Sequence, residues 1–254
     1  MTNTPEDLAR ALADAEYPII LTGAGISTES GVPDFRSKGG LWERYDPMVA
    51  GSLDMFIRDP KYFWEYHRPR YEQVAAVEPN AAHHAVAELQ RRGIVKSLIT
   101  QNIDGLHGRA GSEDPIEIHG SLTGGRCLRC DLRVTRDELL ARADDSEDGV
   151  PRCNCGFQLK SHVVLFGEML PADAMERMFE EAERADMILV IGSSLVVSPV
   201  ADIPAIVLQK GGTLAILTES ETPYDRKAHV RLHTKAGETL PLVVAEIDRL
   251  TTAR

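Results

Sequence analysis

The 254-residue sequence lacks the long apolar stretch that a membrane-spanning helix requires. No apolar run approaches the roughly twenty residues needed to cross a bilayer. The N-terminal segment, Met1–Arg10, is polar and acidic, with neither the basic start nor the apolar stretch of a signal peptide. We therefore expect a cytoplasmic protein that does not enter a membrane.

Positive charge is also in short supply. The chain has 28 lysines and arginines against 39 acidic residues, which gives a formal net charge of -11. An acidic surface argues against direct, non-specific binding to nucleic acid, and it is compatible with a basic, lysine-bearing peptide as a partner. The length suffices for one large α/β domain with a small insert.

Cysteine is scarce, and the four cysteines lie close together. Cys127-x-x-Cys130 is followed by 22 residues and then by Cys153-x-Cys155. In a reducing compartment such cysteines are more often metal ligands or free thiols than disulfides. Two close pairs of thiolates suit one tetrahedral zinc ion, and a site closed by four thiolates is structural. Redox pairs or free thiols are the alternative.

Apolar segments of strand length alternate with helical segments over most of the chain. The predicted strands cover 17–22, 94–100, 116–118, 187–191 and 213–217, and the predicted helices cover 81–92, 171–185, 199–210 and 238–250. Short helices are expected within 53–74, broken near Pro60 and Pro69. This alternation predicts a doubly wound, Rossmann-like parallel sheet. The segment 123–161, which holds every cysteine, does not alternate and is predicted to be an inserted module.

Four polar motifs follow predicted strands. They are Gly23-Ala24-Gly25-Ile26-Ser27, Gln101-Asn102-Ile103-Asp104, His119-Gly120 and Gly192-Ser193-Ser194-Leu195. Ligands of open α/β sheets bind outside the carboxyl ends of the strands, where glycines let backbone N–H groups approach a diphosphate. Histidine is the usual general base near neutral pH. A tight turn, with Thr28 where a third glycine would stand, and a helix cap at Asn102 or Asp104 are the alternatives.

Two further segments carry groups suited to binding. In Gly31-Val32-Pro33-Asp34-Phe35-Arg36 the guanidinium can hold a phosphate or carboxylate and the phenyl ring can cover a flat ring. An Asp34–Arg36 ion pair on a surface loop is the alternative. The segment Val163–Glu168 is predicted to be a strand that runs into a glycine turn and has an exposed edge.

Taken together and in this order, these motifs and the cysteine pairs resemble the sirtuin family, and they span nearly the whole chain. The resemblance implies NAD-dependent removal of acetyl groups from protein lysine side chains, giving nicotinamide, O-acetyl-ADP-ribose and free lysine. It implies NAD as the co-substrate, one structural zinc ion per chain, and an acyl-lysine-bearing protein or peptide as the partner. The implied catalytic residues are His119, as the base that activates a ribose hydroxyl, and Asn102.

The resemblance also implies binding residues. Those expected to contact NAD are Gly23, Ala24, Gly25, Ile26, Thr28, Asp34, Phe35, Arg36, Gln101, Asn102, Ile103, Asp104, Gly192, Ser193, Ser194, Thr218, Glu219 and Ala236. Those expected to contact the substrate are Phe166, Gly167, Glu168, Leu195, Val196, Tyr66 and Arg70. The peptide would add as a strand between the segments that begin at Phe166 and Leu195, which is β-augmentation.

The sequence departs from the family pattern in two places. Thr218, followed by Glu219, stands where the family often has an asparagine that holds the adenine-side ribose. Members that prefer acidic acyl groups have a tyrosine and an arginine three residues apart, whereas here Tyr66 and Arg70 are four apart and His67 has the three-residue spacing. We therefore expect a deacetylase, with a desuccinylase-type deacylase as the alternative.

Other functions compete with deacetylation. Mono-ADP-ribosyl transfer would use the same NAD site. An NAD-linked dehydrogenase is disfavoured by the missing third glycine, and a zinc-stapled binding module without catalysis is the remaining class. We expect the NAD-binding domain to comprise 1–35, 76–122 and 162–254. The small domain is expected to comprise the helical segment 36–75 and the zinc module 123–161.

Overall fold

A computed structural model describes residues 3–32 and 46–252, apart from the side chains of residues 47 and 48. The helices are α1 Pro5–Asp14, α2 Pro47–Ala50, α3 Leu53–Arg58, α4 Pro60–Ala76, α5 Ala81–Arg91, α6 Leu106–Arg109, α7 Arg136–Asp144, α8 Ala172–Arg184, α9 Ile203–Gln209 and α10 Ala236–Thr252. The strands are β1 Pro18–Thr22, β2 Ser97–Thr100, β3 Ile116–Glu117, β4 Gly124–Cys127, β5 Arg133–Thr135, β6 Leu159–Ser161, β7 Met187–Ile191, β8 Thr213–Leu217 and β9 Val230–Leu232. No helix in this described part of the chain combines the length and apolarity needed to cross a membrane.

The large sheet is parallel throughout, with the strand order β3-β2-β1-β7-β8-β9. Its central strands are continuous apolar runs, and every residue of β1 and of β7 is buried. Such strands need cover on both faces. Apolar residues of α1, α5 and α10 pack on one face and those of α8 and α9 on the other. The doubly wound, Rossmann-like fold predicted from the sequence is confirmed.

The segment that holds the cysteines forms a small antiparallel sheet with the order β5-β4-β6. Its apolar residues, together with those of α3 and α4, form a third core that includes Phe56, Phe63, Trp64 and Leu139. The helical segment and the cysteine module therefore share one core, although the predicted domain boundaries themselves stay a prediction. The strands β4, β5 and β6 and the helix α7 were not predicted from the sequence.

One predicted helix break is wrong. A break at Pro60 is correct, because Pro60 is the first residue of α4 and Asp59 caps it by accepting a bond from the Tyr62 N–H. The helix then continues through Pro69 to Ala76. Side chains on both sides of Pro69 are buried in the third core, and the Arg70 guanidinium donates to the Tyr66 carbonyl in the interrupted turn. Packing thus outweighs the lost backbone bond.

The predicted strand at 163–168 is also wrong. Only Phe166 forms a bridge there, pairing with Ser52 as an isolated parallel contact. The Val164 N–H donates to the His119 carbonyl (2.9 Å) and the Leu165 N–H donates to the Glu168 carboxylate (2.8 Å), so these groups do not form a ladder. The segment is an irregular loop whose backbone is held by several different partners.

Candidate active site

The predicted site residues meet at the carboxyl edge of the large sheet. Strands β1 and β7 are neighbours, and the chain proceeds outward from them in opposite directions. Ligands of open α/β sheets bind outside the carboxyl ends at such a switch point. The loops that follow β1, β2, β3, β7 and β8 therefore border one crevice.

The glycines after β1 pack against the loop after β7. The Gly25 N–H donates to the Gly192 carbonyl (2.8 Å). A Cβ on Gly25 would lie 2.7 Å from the Gly192 Cα, and Gly192 itself has a left-handed φ of +61°. Because side chains at these positions would clash with backbone, close packing of the two loops requires glycine. This requirement holds whether or not a ligand is bound.

Gln101 links the ends of β2 and β7. Its side-chain amide donates to the Ser193 hydroxyl oxygen (2.8 Å), which also accepts a bond from the Leu195 N–H (3.3 Å). Ser193 is buried and Gln101 is half-buried. The polar motifs that begin at Gln101 and Gly192 are thus in direct contact, although these two residues are 91 positions apart along the chain.

Ser27 is the centre of a buried polar network. Its hydroxyl donates to the Asp104 carboxylate (2.8 Å), accepts from the Asn102 side-chain amide (3.1 Å) and lies 3.3 Å from His83 Nε2. The Asn102 amide also donates to the Gly23 carbonyl (3.2 Å). The network therefore fixes the orientation of Asn102 and Asp104 before any ligand binds.

Asp104 is buried next to the start of α6. One carboxylate oxygen accepts from the Leu106 N–H (2.9 Å), but the N-cap residue is Gly105, so the predicted helix cap at Asn102 or Asp104 is wrong. Burial raises the pKa of Asp104 above its ordinary value, because desolvation disfavours the charged form. Burial also lowers the pKa of the neighbouring His83 to about 4, so that this imidazole is neutral near pH 7 and contributes no positive charge.

His119 is oriented by the backbone of Gln101. His119 Nδ1 lies 3.0 Å from the Gln101 carbonyl oxygen, which can only accept a hydrogen bond. The proton of the neutral imidazole is therefore on Nδ1, and Nε2 carries the lone pair that a general base needs. The side chain is half-buried at the carboxyl end of β3. Its partner and its position both suit proton abstraction.

Other histidines lack that arrangement. His83 and His107 are buried, whereas His84 is exposed on α5. His107 Nε2 bonds to the Thr22 hydroxyl (2.9 Å) beneath the crevice, and burial lowers the pKa of His107 to about 3. Of His83, His84, His107 and His119, only His119 lies outside a helix, just after the end of β3.

A cleft joins this edge to α4. Its lining includes Ala24, Ser27, Val32, Arg70, Gln73, Asn102, Ile103, Asp104 and Leu122. The Arg70 guanidinium lies over the Tyr66 ring, 3.5 Å from its centroid. Of the two residues predicted to contact the acyl group, Arg70 lines the cleft, while Tyr66 packs beneath the guanidinium.

The two segments predicted to hold the peptide expose apolar side chains. Phe166 is 41% exposed, Val196 is 56% exposed and Met169 is 92% exposed. Leu195 is buried and has a left-handed φ of +53°, a strained conformation for a leucine that persists only where its surroundings enforce it. The Glu168 carboxylate pairs with the buried Lys160 ammonium (2.9 Å).

The four cysteines form a candidate metal centre. Their sulfur atoms all lie within 4.8 Å of one another, with 3.5 Å between Cys127 and Cys155 and 3.4 Å between Cys130 and Cys153. Zn–S bonds of about 2.3 Å in a tetrahedron place the sulfurs about 3.8 Å apart. The cluster thus fits one zinc ion held by four thiolates, and it lies in the small sheet, away from the residues around His119.

The remaining predicted NAD contacts have different positions. Thr218 is buried at the end of β8, and Glu219 after it is exposed. Ala236 is buried at the start of α10, where the Gly237 N–H donates to the Glu29 carboxylate (2.7 Å). The exposed Thr28 hydroxyl bonds to the Gly25 carbonyl (2.9 Å). Asp34, Phe35 and Arg36 lie outside the described residues.

Two members of the site were not predicted from the sequence. Ser27 stands inside the first glycine motif but no separate role was predicted for it, and no role was predicted for His83. The signal for Ser27 was a hydroxyl directly after the glycine turn. No local signal marked His83, because its partner Ser27 is 56 residues away along the chain.

The chain is similar to proteins of a known family along most of its length. The family model described as "Sir2 family" matches residues 23–199. "NAD-dependent protein deacylase 1" of Archaeoglobus fulgidus is 43% identical over 96% of this chain and 98% of that protein. "NAD-dependent protein deacetylase" of Caldivirga maquilingensis is 45% identical over 95% of this chain and 93% of that protein.

The solved structures give the same result. A structure described as "Sir2-p53 peptide-NAD+" matches with a TM-score of 0.86 and 36% identity, covering 94% of this chain and 97% of that one. A Sir2 homologue mutant in complex with ADP-ribose matches with a TM-score of 0.91 and 42% identity, covering 98% of both chains. The likeness therefore includes the large sheet, the small sheet and the crevice.

Proposed function

This chain belongs to the Sir2 family, and on that premise we propose that it removes acetyl groups from protein lysine side chains with NAD as co-substrate. The balanced reaction consumes acetyl-lysine, NAD and water and yields free lysine, nicotinamide and O-acetyl-ADP-ribose. One observation carries the proposal: His119 Nδ1 is bonded to the Gln101 carbonyl, which leaves Nε2 as a base at the carboxyl edge of the sheet. The relatives named as deacetylase and deacylase support it.

We assign the binding of NAD to the loops around the switch point. The glycine turn after β1 and the 192–194 loop would border the diphosphate and ribose. Gln101, Asn102 and Asp104 would hold the nicotinamide side. Asn102 and Asp104 are already oriented by Ser27, so binding would not have to order them. The Sir2 structure with NAD and a peptide, at 36% identity, supports this assignment.

The proposed role of His119 is to accept a proton from a ribose hydroxyl. The acyl oxygen of the substrate lysine would bond to the ribose carbon as the bond to nicotinamide breaks. With its proton taken up by the base, the neighbouring hydroxyl oxygen would attack the acyl carbon, and the bond from that carbon to the lysine nitrogen would break as the amine is protonated and released. Water would then add to the acyl carbon and break its bond to the first ribose oxygen, which leaves O-acetyl-ADP-ribose. Asn102 would hold the sugar during these steps. The four-cysteine zinc site would supply structure and no step of the chemistry.

The peptide is proposed to bind between the segments that begin at Phe166 and Leu195, whose exposed apolar side chains suit an extended chain. A protein or peptide bearing acetyl-lysine is therefore the proposed partner. The cytoplasmic location and the absence of direct nucleic-acid binding stay predictions from the composition.

The test is incubation of the purified chain with NAD and an acetyl-lysine peptide. We expect release of nicotinamide and loss of one acetyl group per nicotinamide, both dependent on NAD. Transfer of labelled ADP-ribose onto protein, with the acetyl group retained, would support mono-ADP-ribosyl transfer instead. Appearance of NADH absorbance would indicate a dehydrogenase. Absence of all three products would leave a binding module and contradict the proposal.

A further inference from the structure

A lysine lies buried where the small sheet joins the segment proposed to hold the peptide. Lys160, in β6, has a side chain that is 3% exposed. Burial of an ammonium group is costly unless its hydrogen-bond donors are satisfied and its charge is paired. Lysines are rarely buried to this degree, so the contacts made by this side chain require an explanation.

All three donors of Lys160 are used, and all three point to one stretch of chain. Nζ donates to the Ser161 carbonyl (3.0 Å), to the Val163 carbonyl (2.7 Å) and to the Glu168 carboxylate (2.9 Å). An ammonium group has three donors. The hydrogen-bond donors of Lys160 are therefore all satisfied, by residues that lead into the proposed peptide-binding segment and by the carboxylate at its end.

Glu168 completes the arrangement from the other side. The same carboxylate oxygen that meets Lys160 accepts from the Leu165 N–H (2.8 Å), and the Glu168 N–H donates to the Leu165 carbonyl (2.9 Å). The turn that carries Phe166 is thus closed by Glu168. Its carboxylate is 17% exposed and is neutralised from beneath by Lys160.

The segment is also attached to its surroundings by uncharged backbone bonds. The Phe166 N–H donates to the Gly51 carbonyl (3.0 Å) and its carbonyl accepts from the Leu53 N–H (3.0 Å). The Val164 N–H donates to the His119 carbonyl (2.9 Å). These bonds hold two points of the loop, whereas the Lys160–Glu168 pair holds its two ends together. Because this irregular loop has no strand pairing to fix its shape, a contact between its two ends is needed to hold it.

We propose that Lys160 is a positioning residue for the peptide: through Glu168 and the Val163 carbonyl it holds segment 163–168 in the shape that receives the acyl-lysine chain. The inference rests on the proposed deacetylase function. The contacts of Lys160 lie within 161–168, and the glycine turn after β1 and the 192–194 loop are held by separate bonds. Lys160 therefore acts on the peptide and not on NAD.

The experiment compares Lys160→Met with Lys160→Arg and measures KM for an acetyl-lysine peptide and for NAD separately. The methionine preserves length but removes the charge and all three donors, so the half-buried Glu168 carboxylate loses its cation and keeps only the Leu165 N–H bond. We expect the peptide KM to rise about tenfold or more, the NAD KM to stay within about twofold and zinc content to stay unchanged. Arginine, which can still reach the carboxylate, should recover most of the peptide affinity.

Lys210→Met is the matched control. Lys210 is an exposed lysine at the end of α9 that lies 3.9 Å from Glu183, so the variant removes one positive charge far from the groove. Both KM values should stay at their wild-type level. A peptide KM that rises equally in Lys210→Met would mean that net charge, not position, is responsible, and the proposal would be overturned.

Glu168→Gln tests the same pair from its other end and serves if Lys160→Met does not fold. The amide keeps the shape and an acceptor for Leu165, so we expect a smaller rise in peptide KM, about threefold, again without a change for NAD. In the double variant the effects should be less than multiplicative, because both remove one interaction.

Three outcomes overturn the inference: an unchanged peptide KM in both folded variants, parallel increases in the two KM values, or no recovery with arginine. A wild-type chain that neither binds the peptide nor releases nicotinamide indicates failure of the proposed function. An active wild type whose peptide KM is insensitive to Lys160 indicates failure of this inference alone.

Discussion

The large and small sheets are stabilised in different ways. In β7 all five residues are buried, and the strand is paired along its whole length with β1 and β8. In β5 the three residues alternate exposed, buried and exposed, with a partner on one side only. The large sheet derives its stability from apolar burial, whereas the small sheet depends on four thiolates and on aromatic side chains of α3 and α4.

The residues proposed to carry out the reaction and the segment proposed to position the peptide therefore depend on different sheets. The proposed base and the residues around Ser27 lie on loops anchored by the large sheet, and the candidate metal ligands of the described residues lie outside that sheet. The segment proposed to hold the peptide is tied to the small sheet through Lys160. Changes to the polar side chains at the carboxyl edge should therefore affect turnover with little effect on folding, while changes in the small sheet should affect folding and peptide binding first.

The sharpest test of this separation is His119→Ala. Loss of a positioned general base typically lowers the rate by about 10²- to 10⁴-fold. We expect a fall of that size in kcat for deacetylation, with NAD affinity, zinc content and thermal midpoint close to the wild-type values. His84→Ala, an exposed histidine on α5, is the control and should be fully active. Near-normal turnover of His119→Ala would show that another group is the base.

The converse test is Cys127→Ser. Loss of a structural metal is among the few changes that cost more than about 4 kcal/mol, because the binding free energy of the ion is folding free energy. We expect loss of the single bound zinc, a lower thermal midpoint and little activity. Chelation of the wild type should reproduce the result, and added zinc should reverse it. One zinc per chain retained by the variant, or unchanged stability after chelation, would contradict the four-thiolate site.

A third variant probes the close contact of the two loops at the carboxyl edge. A methyl group on Gly25 would meet the Gly192 backbone at 2.7 Å. Overpacking of this kind typically costs about 1–3 kcal/mol, so Gly25→Ala should lower the free energy of unfolding and weaken NAD binding. Gly108→Ala is the control, since a Cβ there meets nothing within 4 Å and alanine favours helix. Equal effects of the two variants would exclude the contact as the cause.

Acid should destabilise both regions. Burial lowers the pKa of His67 and of His107 to about 3, and that of His83 to about 4. In the unfolded chain a histidine has a pKa of about 6.5. Because the folded protein keeps these three groups neutral, their contribution to stability is present above pH 6.5. It is lost as the pH falls from about 6.5 toward 4 for His83 and toward 3 for His67 and His107, because the unfolded chain takes up protons that the folded protein does not.

His67→Phe isolates the pH-dependent contribution of the one histidine of these three that lies in α4. The His67 ring stacks on Phe63 at 4.0 Å between centroids, and neither ring nitrogen has a hydrogen-bond partner in the described part of the chain. We expect the phenylalanine to be tolerated and the slope of unfolding free energy between pH 6 and 4.5 to become shallower by about 1.4 kcal/mol per pH unit. Denaturant titrations at several pH values give this slope. An unchanged slope would mean that His67 takes up its proton in the folded state as well.

The smallest expected difference concerns the acyl group. Since the Arg70 guanidinium is engaged by the Tyr66 ring and carbonyl, it is not aimed with Tyr66 at one point in the cleft. A carboxylate bound there would gain only part of the roughly 1.5–3 kcal/mol of a bond to a charged group. We expect kcat/KM for an acetyl peptide to be at least equal to that for the matched succinyl peptide. A clear preference for succinyl that is lost in Arg70→Met would reverse this expectation.

The large sheet was predictable because its strands are continuous apolar runs. The structural bounds of β7 and β8 coincide with the predicted 187–191 and 213–217. The edge strand β9 was missed, since it has only three residues and a charged residue, Arg231, at its centre. The helix α7 was missed because its apolar face is narrow, with Leu139 and Ala143 buried, in a segment dominated by arginine and aspartate.

The positions of the site motifs at the ends of strands could be predicted from the sequence, but the hydrogen bonds that join their side chains could not. Position after a strand correctly located Gln101, His119 and Ser193 at one edge. It could not indicate that Ser27 joins Asp104 to Asn102, or that Glu168 faces Lys160, because such contacts depend on how distant segments fold back. The thiol spacing succeeded because two close pairs of ligands restrict the geometry strongly by themselves.

The junction after His119 has a mechanical consequence. A Cβ on Gly120 would lie 2.1 Å from the His162 carbonyl oxygen, and the His119 carbonyl accepts from the Val164 N–H. These contacts couple the backbone of the proposed base to the floor of the peptide groove, so that a shift of one would move the other. Any movement of residues 162–164 would therefore shift His119 from the position that proton abstraction requires. Substitutions meant to adapt the groove to a new peptide should leave these residues unchanged and alter the exposed Met169 or Val196 instead.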